Sequence, residues 1–281
     1  MTGMTDDRWH LDELDLPAYL ARTGLAARRP SIEALDELHT AHVRTFPFEN
    51  IDVLLRQHPG VQLGAVAEKF VERGRGGYCF EHGTLFAAVL ERLGYDVERH
   101  LGRVGDPGTA GRTHMTVVVT IEGRRYLCDP GFGMSLLRPI LLEHGAQDDR
   151  DGWAYRVQRI DEGGAGAAWR LERFRDEEWQ RMHTTDEVPV RPVDLVMGHH
   201  FTSTFPGSHF TQRLILARHG DNRHTTVSPE GLTTRVPGRP TTRTDVAAED
   251  LPALLREHGV TLSEEEVQRL VALWPGMLDA A

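Results

Sequence analysis

The sequence predicts an α+β chain in three successive parts: an N-terminal helical bundle, a central β meander that suits a small barrel or curled sheet, and a C-terminal α/β lid. Three observations carry this. Apolar residues recur at helical spacing up to about Gly94, β-rich segments take over from Val97, and the two patterns mix after Pro189. No strand–helix–strand alternation occurs, which speaks against a doubly wound sheet. The expected parts are 1–94, 95–190 and 191–281.

In the first part, Leu16, Tyr19 and Leu20 mark one helix. Ser31 is an N-cap for a second, with Leu35, Leu38 and Val43 on its apolar face, and Phe46-Pro47 should end it. A third helix is expected over 63–72, stopping at Gly74, and a fourth from Cys79 to Gly94. Strands follow at 97–104 and 116–121, and Glu122-Gly123 turns the chain into 125–128 as a hairpin. Further strands are expected at 154–160, 168–174 and 178–183, with a loop or hairpin tip over 161–168. The lid reads as a short helix at 192–199, strands at 213–217, 224–228 and 232–236, and a connector over 237–244. Two closing helices follow at 246–257 and 263–273, with Ser263 and Glu266 at capping-box spacing.

The chain has 281 residues, 40% of them hydrophobic, and a net charge of −10, a balance that argues against nucleic acid as a partner. No run of about 18 apolar residues predicts a membrane span. The acidic N-terminus has no apolar leader, so a cytoplasmic protein is expected. Two cysteines in this length fit reduced thiols. Monomer and homodimer are both compatible with the composition.

Cys79 follows Gly76-Gly77 and opens an apolar helix, where the N-terminal dipole favours a thiolate. Arg75 is expected to help, the glycines to allow close backbone approach, and the amide after the cysteine to help hold an oxyanion. The alternative is a buried, inert cysteine. His114 opens an apolar strand, a poor place for an idle polar ring. Asp129 ends the strand predicted to pair with it, so the two can be neighbours; otherwise it is a turn-forming aspartate. Cys128 should face the other way. His39 and His42, three apart on a helix, lack a third ligand, so no metal is expected. His199-His200 reads as a polar turn. The Gly/Arg loop over 105–112 can admit an anionic ligand beside His114.

Together these residues resemble the arylamine N-acetyltransferases. Arg75-Gly76-Gly77-Tyr78-Cys79-Phe80-Glu81 is close to that family's nucleophile motif. Thr113-His114-Met115 and Asp129-Pro130-Gly131-Phe132-Gly133 match its other two blocks, and Pro47-Phe48-Glu49-Asn50-Ile51-Asp52 a fourth signature. The segment 201–210 resembles the one entering the cofactor cleft. The likeness spans about residues 10–275. It departs at Gly83, where asparagine is usual, at Pro130, where valine is usual, and at Met134, where glycine is frequent.

The resemblance implies a helical domain, a β-barrel, an α/β lid and a papain-like Cys-His-Asp arrangement. It implies Cys79, His114 and Asp129 as catalytic residues, acetyl-coenzyme A as acyl donor, and an aromatic amine or hydrazine as acceptor, by ping-pong transfer through acetyl-Cys79. Gly111, Thr113 and Gly133 would lie near the coenzyme A arm; from its charge alone, apart from the resemblance, Arg112 is expected to help with the phosphates. Phe48, Phe132 and Phe210 would line the acceptor pocket, or else are core aromatics. An amide synthase joining an aryl amine to a carrier-bound acyl chain shares this triad. A papain- or transglutaminase-like hydrolase and a binding protein with a vestigial triad fit it less well.

Overall fold

A computed structural model describes residues 8–161 and 167–279. The helical region opens with α1 (Leu16–Thr23) and α2 (Ile32–Thr45). The Ser31 hydroxyl accepts from the Ala34 amide at 3.1 Å, and Phe46, extended ahead of Pro47, ends α2 as predicted. A two-residue strand, β1 (Phe48–Glu49), and a one-turn helix, α3 (Ile51–Leu54), come next. Next, α4 (Leu63–Ala67) widens into a π-helical turn over Glu68–Glu72, so the helix expected there is present but not uniform. Finally α5 (Cys79–Arg92) is buried from Cys79 to Leu90, which makes it the central helix of the molecule. Leu35, Phe70, Phe86 and Val89 pack with Val117 and Cys128 of the sheet below.

The next eight strands are β2 (Asp96–Val104), β3 (His114–Ile121), β4 (Arg124–Cys128), β5 (Ile140–Leu141), β6 (Gln147–Asp148), β7 (Tyr155–Asp161), β8 (Ala167–Arg175) and β9 (Glu178–Asp186). They pair antiparallel in the order β5-β4-β3-β2-β9-β8-β7-β6, a nearly closed barrel. The hairpin read at Glu122-Gly123 is a two-residue loop with both residues at positive φ (50° and 76°), the left-handed geometry a twisted hairpin requires. The hairpin tip expected over 161–168 falls mainly on 162–166, outside the described residues.

The remainder is α6 (Pro192–Thr204), α7 (His209–Gln212), β10 (Leu216–Gly220), β11 (Arg223–Ser228), β12 (Gly231–Arg235), β13 (Thr242–Thr244), α8 (Leu251–Glu257) and α9 (Glu264–Asp279). Its strands form a sheet ordered β1-β10-β11-β12-β13, so a strand from the helical region completes it. Several expectations need correction. The strand read from Arg213 starts only at Leu216, because Asn50 captures this backbone: its amide donates to the Arg213 carbonyl at 2.9 Å and its oxygen accepts from the Ile215 amide at 2.8 Å. The helix read over 192–199 runs on to Thr204, so His199-His200 lies inside a helix rather than in a turn. The connector over 237–244 contains the edge strand β13, whose exposed Thr and Arg residues carry no alternation. The predicted capping box is present: Glu266 accepts from the Ser263 amide at 2.8 Å, and the Ser263 hydroxyl from the Glu266 amide at 3.2 Å. Among the described residues no helix is long and apolar enough to cross a membrane.

Candidate active site

Cys79 is the first residue of α5, with Tyr78 extended before it. In that first turn the backbone N–H groups have no partner within the helix, so the Phe80 amide is free to face a ligand oxygen. The paired glycines have a steric cause. A Cβ on Gly76 would lie 1.8 Å from the Pro47 carbonyl oxygen, and one on Gly77 2.3 Å from the Glu81 carboxylate. The chain before Cys79 therefore lies against β1, where the Glu49 amide donates to the Gly77 carbonyl at 2.8 Å. Gly131 has the same role on the other side: a Cβ there would come within 2.8 Å of the Cys79 Cα.

His114 begins β3 and Asp129 directly follows β4. The strands pair with Val117 opposite Cys128, which brings the two residues together at the barrel end. His114 Nε2 donates to Asp129 Oδ1 at 3.0 Å, with both side chains buried. Burial alone would lower the His114 pKa. The Asp129 carboxylate, by charge and hydrogen bond, and then Cys79 outweigh it and raise it to about 10. Burial likewise acts to raise Asp129, but His114 and His183 hold it well below the usual carboxylate range. The Cys79 thiol itself points to the Thr113 carbonyl at 3.6 Å. The structure thus brings Cys79, His114 and Asp129 together, as the sequence led one to expect. Cys128 faces the opposite way, into the core beneath α5.

The aromatic residues gather here too. Phe132 meets the His114 ring edge-on, centroids 5.2 Å apart. The Phe48 ring lies 6.1 Å from Phe210, and a Cβ on Gly133 would sit 3.5 Å from Phe48. Gly111 and Thr113 lie on the loop that enters β3, the Thr113 amide donating to the Gly111 carbonyl at 3.0 Å. Two expectations about arginine fail. Arg75 is fully buried between Glu49 and Asp52, 2.9 and 3.0 Å away, so its charge is committed there rather than to Cys79. Arg112 is paired with Asp186 at 2.8 Å rather than free for a phosphate.

Sequence reading missed three features. The first is His183 on β9, whose Nε2 donates to the second Asp129 oxygen at 3.0 Å while Thr185 bonds its Nδ1. His114, Asp129 and His183 are the one group among the described residues with metal-ligand geometry. Both carboxylate oxygens already accept ring N–H groups. The second is a buried ionic network beneath Cys79. Lys69 Nζ lies 2.7 Å from Glu81 and 3.0 Å from Asp52, and Glu81 in turn accepts from the Tyr78 amide at 3.0 Å. The third is the Tyr78 hydroxyl bonded to His199 of α6, which ties the lid to the residue before Cys79. The histidines on α2 have internal partners: Tyr19, His42 and His82 form a bonded relay that ends on the Pro47 carbonyl, and His39 Nδ1 bonds the Leu137 carbonyl at 3.2 Å.

Comparison with known proteins agrees with this geometry. A family profile described as N-acetyltransferase matches residues 31–267. The chain is 38% identical over 280 residues to an arylamine N-acetyltransferase of Mycolicibacterium smegmatis, covering 92% of this chain and 98% of that protein. The chain belongs to the arylamine N-acetyltransferase family. Its structure matches that of the Mycobacterium abscessus arylamine N-acetyltransferase with a TM-score of 0.89 at 31% identity, covering 95% and 97% of the two chains. It matches the Mycobacterium marinum arylamine N-acetyltransferase in complex with CoA with a TM-score of 0.83 at 32% identity, covering 92% and 98%. The enzyme is therefore an acyltransferase with the helical, barrel and lid regions of its relatives.

One departure from the family pattern has a local consequence. A Cβ on Gly83 would lie 2.8 Å from the buried Met115 side chain, so this helix position is closed to the usual asparagine. Gly83→Asn is expected to destabilise the enzyme by about 1–3 kcal/mol through overpacking, read as a lower urea midpoint with unchanged m-value. For His183, loss of one hydrogen bond to a buried charge is expected to cost about tenfold to a hundredfold in kcat. His183→Phe, with KM values nearly unchanged, is the variant to assay; a wild-type kcat would leave His183 a packing role only.

Proposed function

We propose that this enzyme acetylates aromatic amines or hydrazines by ping-pong transfer from acetyl-coenzyme A, with Cys79 as nucleophile. The buried Asp129–His114 pair beside Cys79 carries the reading. An imidazolium held to about pH 10 by Asp129 is a counter-ion for a thiolate at neutral pH. In this reading the Cys79 sulfur attacks the thioester carbonyl, the Phe80 amide faces the oxyanion, and coenzyme A leaves as His114 supplies its proton. An aromatic amine then attacks the acetyl carbonyl of acetyl-Cys79, the C–S bond breaks with Cys79 leaving as the thiolate, and His114 takes the amine proton. Phe48, Phe132 and Phe210 offer apolar faces to the acceptor ring. In this reading Gly111, Thr113 and Gly133 would lie along the coenzyme A arm. Donor use is supported by the CoA complex of the Mycobacterium marinum relative.

Intact-mass spectrometry after incubation with acetyl-coenzyme A and no amine tests this. The expected result is one added acetyl group, absent in Cys79→Ala and discharged by an aromatic amine. No adduct, with Cys79 still alkylated by iodoacetamide, would overturn the donor assignment and favour a carrier-bound acyl chain.

A further inference from the structure

Four arginines converge where the barrel meets the five-stranded sheet. Arg173 and Arg175 come from β8, Arg235 from the end of β12 and Arg239 from the turn beyond it, and together they line a cavity of about 370 Å³. Asp176 is the one acid on its wall, 3.2 Å from Arg175. No carboxylate among the described residues pairs with Arg173 or Arg235. Their contacts are neutral and long. Arg173 reaches the Met134 sulfur at 3.3 Å and Gln180 at 3.5 Å, and Arg235 reaches the Thr226 hydroxyl at 3.4 Å. The Nε groups of Arg173 and Arg235 are buried without an acceptor. Burial, and then the neighbouring arginines, pull Arg173 and Arg235 below the ordinary guanidinium value, Arg235 to about 10.

Such an arrangement is costly as it stands. Buried donors without acceptors and like charges held close both destabilise the fold, and a bound anion would relieve both. The chain carries a net charge of −10, so four cations against one acid is a local concentration rather than a reflection of composition. We propose that this cavity binds a phosphate group borne by a small molecule. A carboxylate offers two oxygens and one charge. A phosphate offers three acceptor oxygens and close to two charges, which suits guanidinium forks arriving from two different strands. The volume fits a small ligand rather than a macromolecule.

Its position gives it a route to the triad. Met134 lines the cavity and follows Phe132-Gly133, and His224, paired across the sheet with Arg235, contacts the Gly133 carbonyl at 3.0 Å. Two sources share the chemistry: the phosphates of the donor, or a separate phosphorylated metabolite. The proposal rests on the cavity and not on the acyl-transfer reading, so its test uses binding as well as turnover.

Titration calorimetry of the full chain with inorganic pyrophosphate is expected to show saturable binding. Arg173→Gln and Arg235→Gln should each weaken it about tenfold or more. Arg239→Gln, at an exposed position, gives the same comparison without risk to folding. KM values for acetyl-coenzyme A and for S-acetylpantetheine, which lacks the nucleotide phosphates, separate the sources. A rise of about tenfold for the first alone in Arg235→Gln assigns the cavity to the donor. Unchanged KM values with pyrophosphate binding lost assign it to a separate ligand. Binding that survives all three substitutions, or no saturable binding together with unchanged KM values, would overturn the proposal.

Discussion

In Asp129→Asn, acetyl transfer is expected to fall on the order of 10⁴-fold while the protein stays folded and still binds its donor. The reason lies in the charge balance at His114. Burial disfavours the imidazolium, and the Asp129 carboxylate is the main force that overcomes it. An asparagine keeps the shape and removes the charge, so the ring's pKa moves from about 10 down through the ordinary 6.5 and toward lower values. At neutral pH the ring is then neutral, and Cys79 loses its counter-ion. The amide can also present an N–H where an acceptor is needed, which favours the wrong tautomer. The rate at which iodoacetamide alkylates Cys79, followed across the neutral range, checks this apart from turnover. A profile identical to that of the wild type would mean that Asp129 does not govern the thiol. His183 sharpens the expectation, because it holds the second carboxylate oxygen and limits how far the side chain can turn to compensate.

Much of the site was legible because its parts are local. Cys79 stands at a sequence-visible junction of paired glycines and an apolar helix. His114 and Asp129 stand at the two ends of one hairpin, and a hairpin fixes its own register through its turn. Other partners depend on contacts that no short window contains. His183 reaches Asp129 across 54 residues, from a strand that reaches the site only when the barrel curls round. Arg75 was read from sequence proximity as an aid to Cys79, yet its partners come from the Pro47–Asp52 signature, 23 and 26 residues away. That signature was recognisable as a pattern, but its chemistry was not. Glu49 and Asp52 belong to the buried network, and Asn50 pins the lid backbone. The strands that escaped notice, β1, β5, β6 and β13, have two or three residues each, too few to show a period of two.

The largest effect on stability is expected from Lys69→Met. Lys69 Nζ lies against Glu81, Asp52 and, at 4.0 Å, Glu49, all fully buried. With Arg75 it is one of two permanent cations facing three carboxylates, so removing it leaves those acids with a single guanidinium. A methionine fills nearly the same volume, which separates the charge effect from a cavity effect. Stranding buried charge in this way is expected to cost about 3–5 kcal/mol at neutral pH. Glu81→Gln would be milder, because it leaves two carboxylates for two cations. The pH dependence gives the signature. In the wild type, burial tends to raise Glu81 and Asp52, but Lys69 with His58 or Arg75 holds both below their unfolded values. Their contribution to stability is therefore present above about pH 4.5 and lost as pH falls through the folded values. In the variant the sign reverses for Glu81: burial is less opposed, its folded pKa rises, and acid favours the native state. The gap in urea midpoint between wild type and Lys69→Met should be widest at neutral pH and narrow toward pH 4.5. A constant gap would point to packing rather than charge. Because Glu81 also holds the Tyr78 amide, the variant should lose acetyl transfer in the fraction that remains folded, and Lys69→Arg should restore part of both properties.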